Sequence, residues 1–382
     1  MHYQYQQLSG GATETLVNNL VDENEKEKKL DITVVSIYEE EAFQKSKEYS
    51  NTEFIYINEG KYEGEKDLEF KSTNQKLADY VDSIYDALKD RHFDCVVMEG
   101  GYLQEYKKVL TLFPKNRSAA HIHGIYKVDE VVNNLYGYFF VISDYVGQVV
   151  KDTNLVSDDR IKTIYNGIKI ENFKKEISAE EKLELRKKYG IAEDENVVLF
   201  CGRTVQRKGI KELISGFKKI KNLNKTKLLI VGNSNFGEEV ITDYDRELRS
   251  EAESIKDRII FTGFIHNENL YKIYNIADLA IFPTIDEEPF GLVVVEAMAA
   301  GCPVILTKSG AFPEIAADTN IPLLNKDDRL IDEITQSIDE FLDNKDLRKM
   351  ISEQEKEKVD QYSNKTFYNN FVQLVAEICN EN

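Results

Sequence analysis

Cysteine is scarce. The four present, Cys95, Cys201, Cys302 and Cys379, lie too far apart for a metal-ligand spacing or a secreted disulfide framework, and three of them sit in apolar runs. They read as reduced core thiols. No apolar stretch reaches the roughly 18 to 20 residues needed to span a bilayer, and the start MHYQYQQLSGG lacks a charged segment followed by an apolar block. A soluble, cytoplasmic protein is expected. Positive charge is also short, with 49 Lys and Arg against 68 Asp and Glu for a formal net charge of −19. That excludes a protein whose main work is to neutralise nucleic-acid phosphates, and any anionic ligand must be met by a local cluster of cations. Several catalytic signatures are missing as well. There is no Gly-x-x-x-x-Gly-Lys-Ser/Thr loop, His-Glu-x-x-His pair or Gly-x-Ser-x-Gly elbow. P-loop hydrolysis, zinc proteolysis and serine hydrolysis are disfavoured. Asp243 and Asp245 lie in the polar connecting stretch VITDYD rather than at a strand end, so no metal site is expected.

What is present is an alternation of short apolar runs with longer amphipathic stretches, the pattern of parallel strands joined by crossover helices in an α/β protein. The chain of 382 residues exceeds the roughly 250 to 300 over which a single core grows, so two domains are expected. In the first half DITVVSIY, FDCVVMEG, SAAHIHG and YFFVISD read as strands, with helices at TETLVNNLVDE and TNQKLADYVDSIYDALKD. The rhythm restarts near residue 196 with NVVLFCGR, KLLIVGN, RIIFTGF, LAIFPT and PVILTKS. The Asn-Gly turn and charged run between them read as a connection. The expected domains are 1–172 and 173–362, followed by a closing amphipathic helix at 363–382 that packs back on the first. Two such sheets facing each other would leave a cleft, and open α/β sheets bind ligands beyond the carboxyl ends of their strands.

Four stretches carry candidate chemistry. In EEPFGLVVVEAMAAG a loop ends at Gly291 and a helix begins, so the first amides around Gly291, Leu292 and Val293 form an anion site. Glu288 and Glu296 on either side would compete with a phosphate unless turned toward hydroxyls. A carboxylate accepts two hydrogen bonds from a vicinal diol, each worth about 1.5 to 3 kcal/mol. The plainer alternative makes Glu288 a helix-start acid and Glu296 a solvated side chain. In FCGRTVQRKGIKELI a strand ends at Gly202, Arg203 follows, and Lys208 with Gly209 opens a helix. Both cations then stand at a sheet edge where they could neutralise a diphosphate; the alternative is a solvated basic loop. LSGGATETLVNNL is a Gly-Gly turn entering a helix. It is either a close approach to an oxygen-rich ligand or only a tight turn. Two apart on AAHIHGIY, His121 and His123 are expected to divide, one toward the sheet interior and one toward the cleft.

With Glu288 and Glu296, Arg203 and Lys208, the Gly-Gly loop and the strand-end His-Gly together, the chain resembles retaining GT-B glycosyltransferases, and more narrowly glycosyltransferase family four. The likeness runs over nearly the whole chain and is strongest from about 196 to 318. It implies two Rossmann-like domains and transfer of a hexosyl residue from a nucleotide-diphosphate sugar, a UDP-sugar first of all, with retained configuration and no divalent metal or other cofactor. On this sequence it implies that Arg203 and Lys208 bind the diphosphate after the turn at Gly202, Glu288 the sugar hydroxyls and Glu296 the ribose. Backbone amides at Phe290, Gly291, Leu292 and Val293 would meet the sugar and distal phosphate. The base would lie against Phe264 and Ile265, Gly11 would approach the diphosphate, and His123 would sit by the reacting sugar. Ala311 follows Gly310 where the family often has a second glycine.

The implied acceptor is a sugar or a polyprenyl-linked saccharide, in bacterial surface polysaccharide or glycoconjugate synthesis. The stretch YLQEYKKVLTLFPKNR (102–117) interleaves Lys107, Lys108, Lys115 and Arg117 with apolar residues. It reads either as a peripheral contact with the inner membrane face or as an ordinary amphipathic surface helix. Two rival functions stay open at this level. They are a sugar-nucleotide 2-epimerase and a non-catalytic sugar-nucleotide-binding subunit.

Overall fold

A computed structural model describes residues 12–57, 70–234 and 241–380. Gly11 and the polar YQYQQ stretch lie outside the described residues, so the approach expected of Gly11 has no structural counterpart here. The chain divides into two compact units, one reaching Gly167 and resuming at Asn364, the other running from Ile168 to Ser363.

The first unit contains β1 (Ile32–Ile37), β2 (Thr52–Ile57), β3 (Val96–Glu99), β4 (Ser118–Ile122), β5 (Tyr138–Val141) and β6 (Ile161–Thr163). β1 and β2 form a parallel pair, and the rest form a parallel sheet in the order β3-β4-β5-β6. Every residue of β4 and β5 is buried, which is why they read as continuous apolar runs rather than alternating ones. β2 and β6 were not expected. Thr52–Ile57 is flanked by no glycine or proline, and β6 is three residues inside the stretch that reads as a connection.

The helix Asn364–Asn380 closes this unit. Its Phe367, Tyr368, Phe371 and Ile378 are buried with Leu16 and Leu20 of the helix Ala12–Glu27 and with Tyr138 and Phe140 of β5. The Tyr368 hydroxyl donates to Asn24 Oδ1 at 2.7 Å, so its polar tip is satisfied within this core.

The stretch 102–117 is not one amphipathic helix. It breaks into a 3₁₀ turn at Leu103–Tyr106, one α turn at Lys107–Leu110 and another 3₁₀ turn after Pro114. Leu103, Tyr106, Val109 and Leu110 are buried in the protein, and Lys108 pairs with Asp82 at 2.6 Å. These four apolar side chains are therefore not available to a bilayer. No helix among the described residues is long and apolar enough to cross a membrane.

The second unit holds β7 (Asn196–Cys201), β8 (Thr226–Val231), β9 (Ile259–Gly263), β10 (Leu279–Phe282), β11 (Val304–Thr307) and β12 (Leu323–Leu324) in one parallel sheet of order β12-β11-β10-β7-β8-β9. The chain leaves β7 to one side through β8 and β9, then returns to build β10, β11 and β12 on the other. β7 and β10 are neighbours without being consecutive. Open parallel sheets bind ligands at such a reversal of strand order, outside the carboxyl ends of the strands.

Candidate active site

The loops after β7 and β10 are joined backbone to backbone at this reversal point. The Arg207 carbonyl accepts from the Ile285 amide at 3.0 Å. Gly209 sits at φ +70°, and a Cβ there would lie 2.0 Å from the Pro283 carbonyl oxygen, so only glycine permits the approach. This docking sets Lys208 Nζ against Glu288 Oε2 in an ion pair whose side chains are only 14% and 10% exposed. Arg203, at the end of β7, is half-buried. Burial, followed by the charge of Arg207, lowers its basicity, and Glu288 opposes both. Two cations and one carboxylate thus meet at one point, and the solvated-loop alternative for Lys208 fails.

Glu288 is held from its other side by the turn after β11, where Ala311 follows Gly310. Its amide donates to Ser309 Oγ at 3.1 Å, and its carbonyl accepts from the Ala311 amide at 2.8 Å. A Cβ on Gly310 would come within 2.1 Å of the Glu288 carbonyl oxygen. The close approach is therefore made by Gly310, while Ala311 buries its methyl group completely. Next to Glu288, Glu287 accepts from Lys326 Nζ at 2.6 Å and the Gly310 amide at 2.5 Å. It is a tie between loops and not a second ligand-facing acid.

The helix Leu292–Ala299 starts at Gly291, whose φ is +100°. The Val294 amide is taken back by the Gly291 carbonyl at 3.0 Å, which leaves those of Leu292 and Val293 with no intrahelical acceptor. Phe290 is buried edge-on to Tyr362 at 5.7 Å between ring centroids, so its ring belongs to the core. Glu296 is buried too. It accepts from Asn267 Nδ2 at 3.2 Å and from the Tyr274 hydroxyl at 3.4 Å, and burial pushes its carboxyl up to about 7. The solvated reading of Glu296 does not hold. Beyond β9, Phe264 is exposed and meets His266 edge-on at 5.1 Å, and Ile265 is half-buried. Gly202, Arg203, Lys208, Phe264, Ile265, Glu288 and the start of the Leu292–Ala299 helix all lie at the carboxyl edge of the same sheet. Asp245 does not join them as a metal ligand. It completes a capping box with Thr242 and accepts from Ser234 and Thr204.

In the first unit the two histidines do not divide. Residues two apart on a strand share a face, and both rings reach one carboxylate. Glu99 on β3 is the register partner of His121 on β4. Its Oε2 lies 2.9 Å from His121 Nδ1 and 2.7 Å from His123 Nε2, with the ring centroids 4.2 Å apart. Burial opposes the Glu99 charge, but the His121 and His123 rings outweigh it and hold the carboxyl well below its ordinary range. Burial, then the neighbouring His121 ring, lowers the His123 imidazole, with Glu99 acting in the other direction. These three donor atoms are the one His/Cys/Asp/Glu cluster among the described residues that could hold a metal ion. Tetrahedral zinc with ligand bonds of about 2.0 to 2.1 Å keeps its donor atoms roughly 3.3 Å apart. The observed 2.7 and 2.9 Å are hydrogen-bond lengths.

A parallel sheet that brings cations, acids and a helix start to its reversal point, in a chain that folds a further α/β unit, is the architecture of the GT-B fold. Residues 181–358 match the glycosyl transferases group 1 family. An uncharacterized glycosyltransferase of Methanocaldococcus jannaschii is 37% identical over 158 residues, covering 41% of this chain and 39% of that protein. The lipopolysaccharide 1,2-N-acetylglucosaminetransferase of Salmonella typhimurium is 28% identical over 229 residues, or 59% of this chain and 58% of that one. The chain thus spans about half the length of these curated relatives. The crystal structure of Anabaena Alr3699/HepE in complex with UDP-glucose superposes with a TM-score of 0.74 over 97% of this chain and 98% of that one, at 18% identity. That likeness establishes the fold.

Proposed function

We propose that the protein moves a hexosyl residue from a nucleoside diphosphate sugar, a UDP-sugar, to a saccharide or lipid-linked saccharide acceptor, with retained anomeric configuration and no divalent metal. The observation that carries this reading is the shielded Lys208–Glu288 pair beside Arg203 at the carboxyl edge.

Without a ligand, each charge of the pair satisfies the other. A buried charge left alone is costly, so the ligand that opens the pair must supply an anion for Lys208 and hydroxyl donors for Glu288 at once. A sugar diphosphate has both. Arg203, Lys208 and the amides of Leu292 and Val293 would then face the diphosphate, where negative charge grows as the glycosidic bond breaks. That cluster supplies positive charge of the kind a divalent cation brings elsewhere. Glu288 would take the sugar hydroxyls and Glu296 the ribose diol, with the base against Phe264 and Ile265. His123 would bond a hydroxyl of the transferred sugar. The acceptor oxygen attacks on the face that the diphosphate leaves, and its proton passes to the departing phosphate. No protein nucleophile is required.

The acceptor class is supported by the Salmonella relative, whose name places it in lipopolysaccharide synthesis, and the donor class by the Anabaena structure with UDP-glucose. A role in bacterial surface polysaccharide synthesis on the cytoplasmic side follows from the same reading. Membrane contact through 102–117 would rest on charges such as Lys107 and Lys115 and on the exposed Tyr102, because Leu103, Tyr106, Val109 and Leu110 are buried.

The test is a panel of UDP-, GDP- and ADP-sugars measured by thermal shift with and without EDTA, followed by product analysis with saccharide acceptors. Stabilisation by one nucleotide sugar and an α-linked product from an α-donor, both insensitive to EDTA, is the expected result. Turnover that stops when metal is chelated, or a product of inverted configuration, would refute the mechanism. Release of free nucleotide without any acceptor would favour an epimerase.

A further inference from the structure

We propose that Glu99 is a positioning residue for the transfer reaction, fixing His123 with its proton on Nε2 so that Nδ1 presents a lone pair to a sugar hydroxyl. The inference rests on the role given to His123 above and adds a residue to it.

The argument starts from hydrogen-bond inventory. An ionised carboxylate only accepts, so each ring nitrogen within 2.9 Å of Glu99 Oε2 must carry its proton. For His121 that nitrogen is Nδ1, and for His123 it is Nε2. The far nitrogen of His121, Nε2, is buried and has no hydrogen-bond partner. A second proton there would leave a buried cationic N–H unpaired, whereas a bare lone pair costs far less. His121 is therefore a singly protonated ring, fully enclosed, whose use is to hold Glu99. His123 differs in one respect, since 13% of its side chain remains accessible against none for His121. The two rings are not interchangeable. His121 braces the carboxylate from inside the sheet, and His123 offers its free edge outward. Burial favours the neutral form of the His123 ring, so with Nε2–H committed to Glu99 its Nδ1 can accept a hydrogen bond and does not donate one.

Strand register builds the arrangement. Glu99 and His121 are paired across β3 and β4, and His123 stands one pleat further along the same face. No short motif spans residues 99 to 123, so the carboxylate is invisible in the local sequence around the histidines.

The experiment is two-bond ¹H–¹⁵N correlation NMR on protein labelled at its five histidines, with His123 assigned through His123→Ala. The expected result for the native protein is the Nε2–H tautomer at His123 and the Nδ1–H tautomer at His121. In Glu99→Ala neither ring keeps its acceptor, so the single tautomer at His123 gives way to a mixture. The same variant should lose kcat by about tenfold or more, while KM for the nucleotide sugar changes less than twofold. Finding His123 with its proton on Nδ1 in the native protein would overturn the proposal without recourse to any variant. So would a Glu99→Ala protein with native tautomers and native kcat. If the tautomers are as stated but His123→Ala turns over normally, the reading of His123 as a sugar contact fails and Glu99 has no catalytic consequence.

Discussion

Lys208 and Glu288 are more informative as a pair than either is alone. Because each neutralises the other within a shielded site, removing one leaves its partner exposed to an unfavourable environment. Glu288→Ala should lower kcat by at least about tenfold through loss of the sugar contact. UDP affinity, read by calorimetry, should stay level or tighten, because Lys208 is released for the phosphates. Lys208→Ala should do the reverse to affinity, weakening UDP by about tenfold or more while Glu288 is left unpaired. Glu296 makes a prediction in pH. Burial raises its carboxyl from 4.5 to about 7, so the folded protein favours the protonated form. Its contribution to stability is fully present below about 4.5 and is lost as pH rises through about 7. Ribose hydroxyls need the carboxylate, so donor KM should fall as pH is raised across 7. Glu296→Gln should flatten that dependence, and a KM unchanged between pH 6 and 8 in the native protein would dismiss the ribose contact.

Single turns at the carboxyl edge decide whether these side chains meet. Ser309, Gly310 and Ala311 grip the backbone on both sides of Glu288, and Gly209 presses the other loop against Pro283. Gly310→Ala would push a methyl group into the Glu288 carbonyl at a φ of +47°, a conformation that costs about 1 to 3 kcal/mol. The measurable outcome is a lower Tm together with a kcat loss larger than the stability change alone explains, because the Glu288 carboxylate shifts off Lys208. Native kcat in a protein of reduced Tm would mean that the turn serves stability only. The stretch 102–117 teaches the same lesson about elements. Its basic residues line the outside of a segment broken by Pro114, and its apolar ones serve the core.

Across the whole molecule, the last helix belongs to the unit that begins the chain. Ending the protein at Ser363 would remove Phe367, Tyr368, Phe371 and Ile378 and uncover Leu16, Leu20 and Phe140. Each large apolar side chain contributes about 1.5 to 3 kcal/mol, so the first unit should lose roughly 6 kcal/mol or more, enough to unfold it. The unit from Ile168 to Ser363 keeps its own sheet and core. Differential scanning calorimetry of the truncated chain should therefore show the first unit's transition lost and the second unit's kept. Simultaneous loss of both would mean that the units do not fold separately. The net charge of −19 acts at this scale as well. It leaves Arg203 and Lys208 as a local exception in an anionic molecule and not as part of a basic surface.

Period and local chemistry were enough, from the sequence alone, for the parallel α/β class, nine of the twelve strands among the described residues, the closing helix and the cations and acids that gather at one sheet edge. Those signals are short in range. Apolar runs mark strands, a glycine before an apolar helix marks an anion-receptive start, and strand ends mark the ligand edge whatever the strand order. Tertiary structure alone decided which of these residues touch. The Lys208–Glu288 pair depends on β7 and β10 becoming neighbours, the grip on Glu288 depends on β11 lying next to β10, and the carboxylate under His121 and His123 depends on the register of β3 against β4. Each contact joins segments far apart in the chain through backbone pairing, and backbone pairing carries no residue signature. That is why Ser309 and Glu99 could be found only once the sheets were in place.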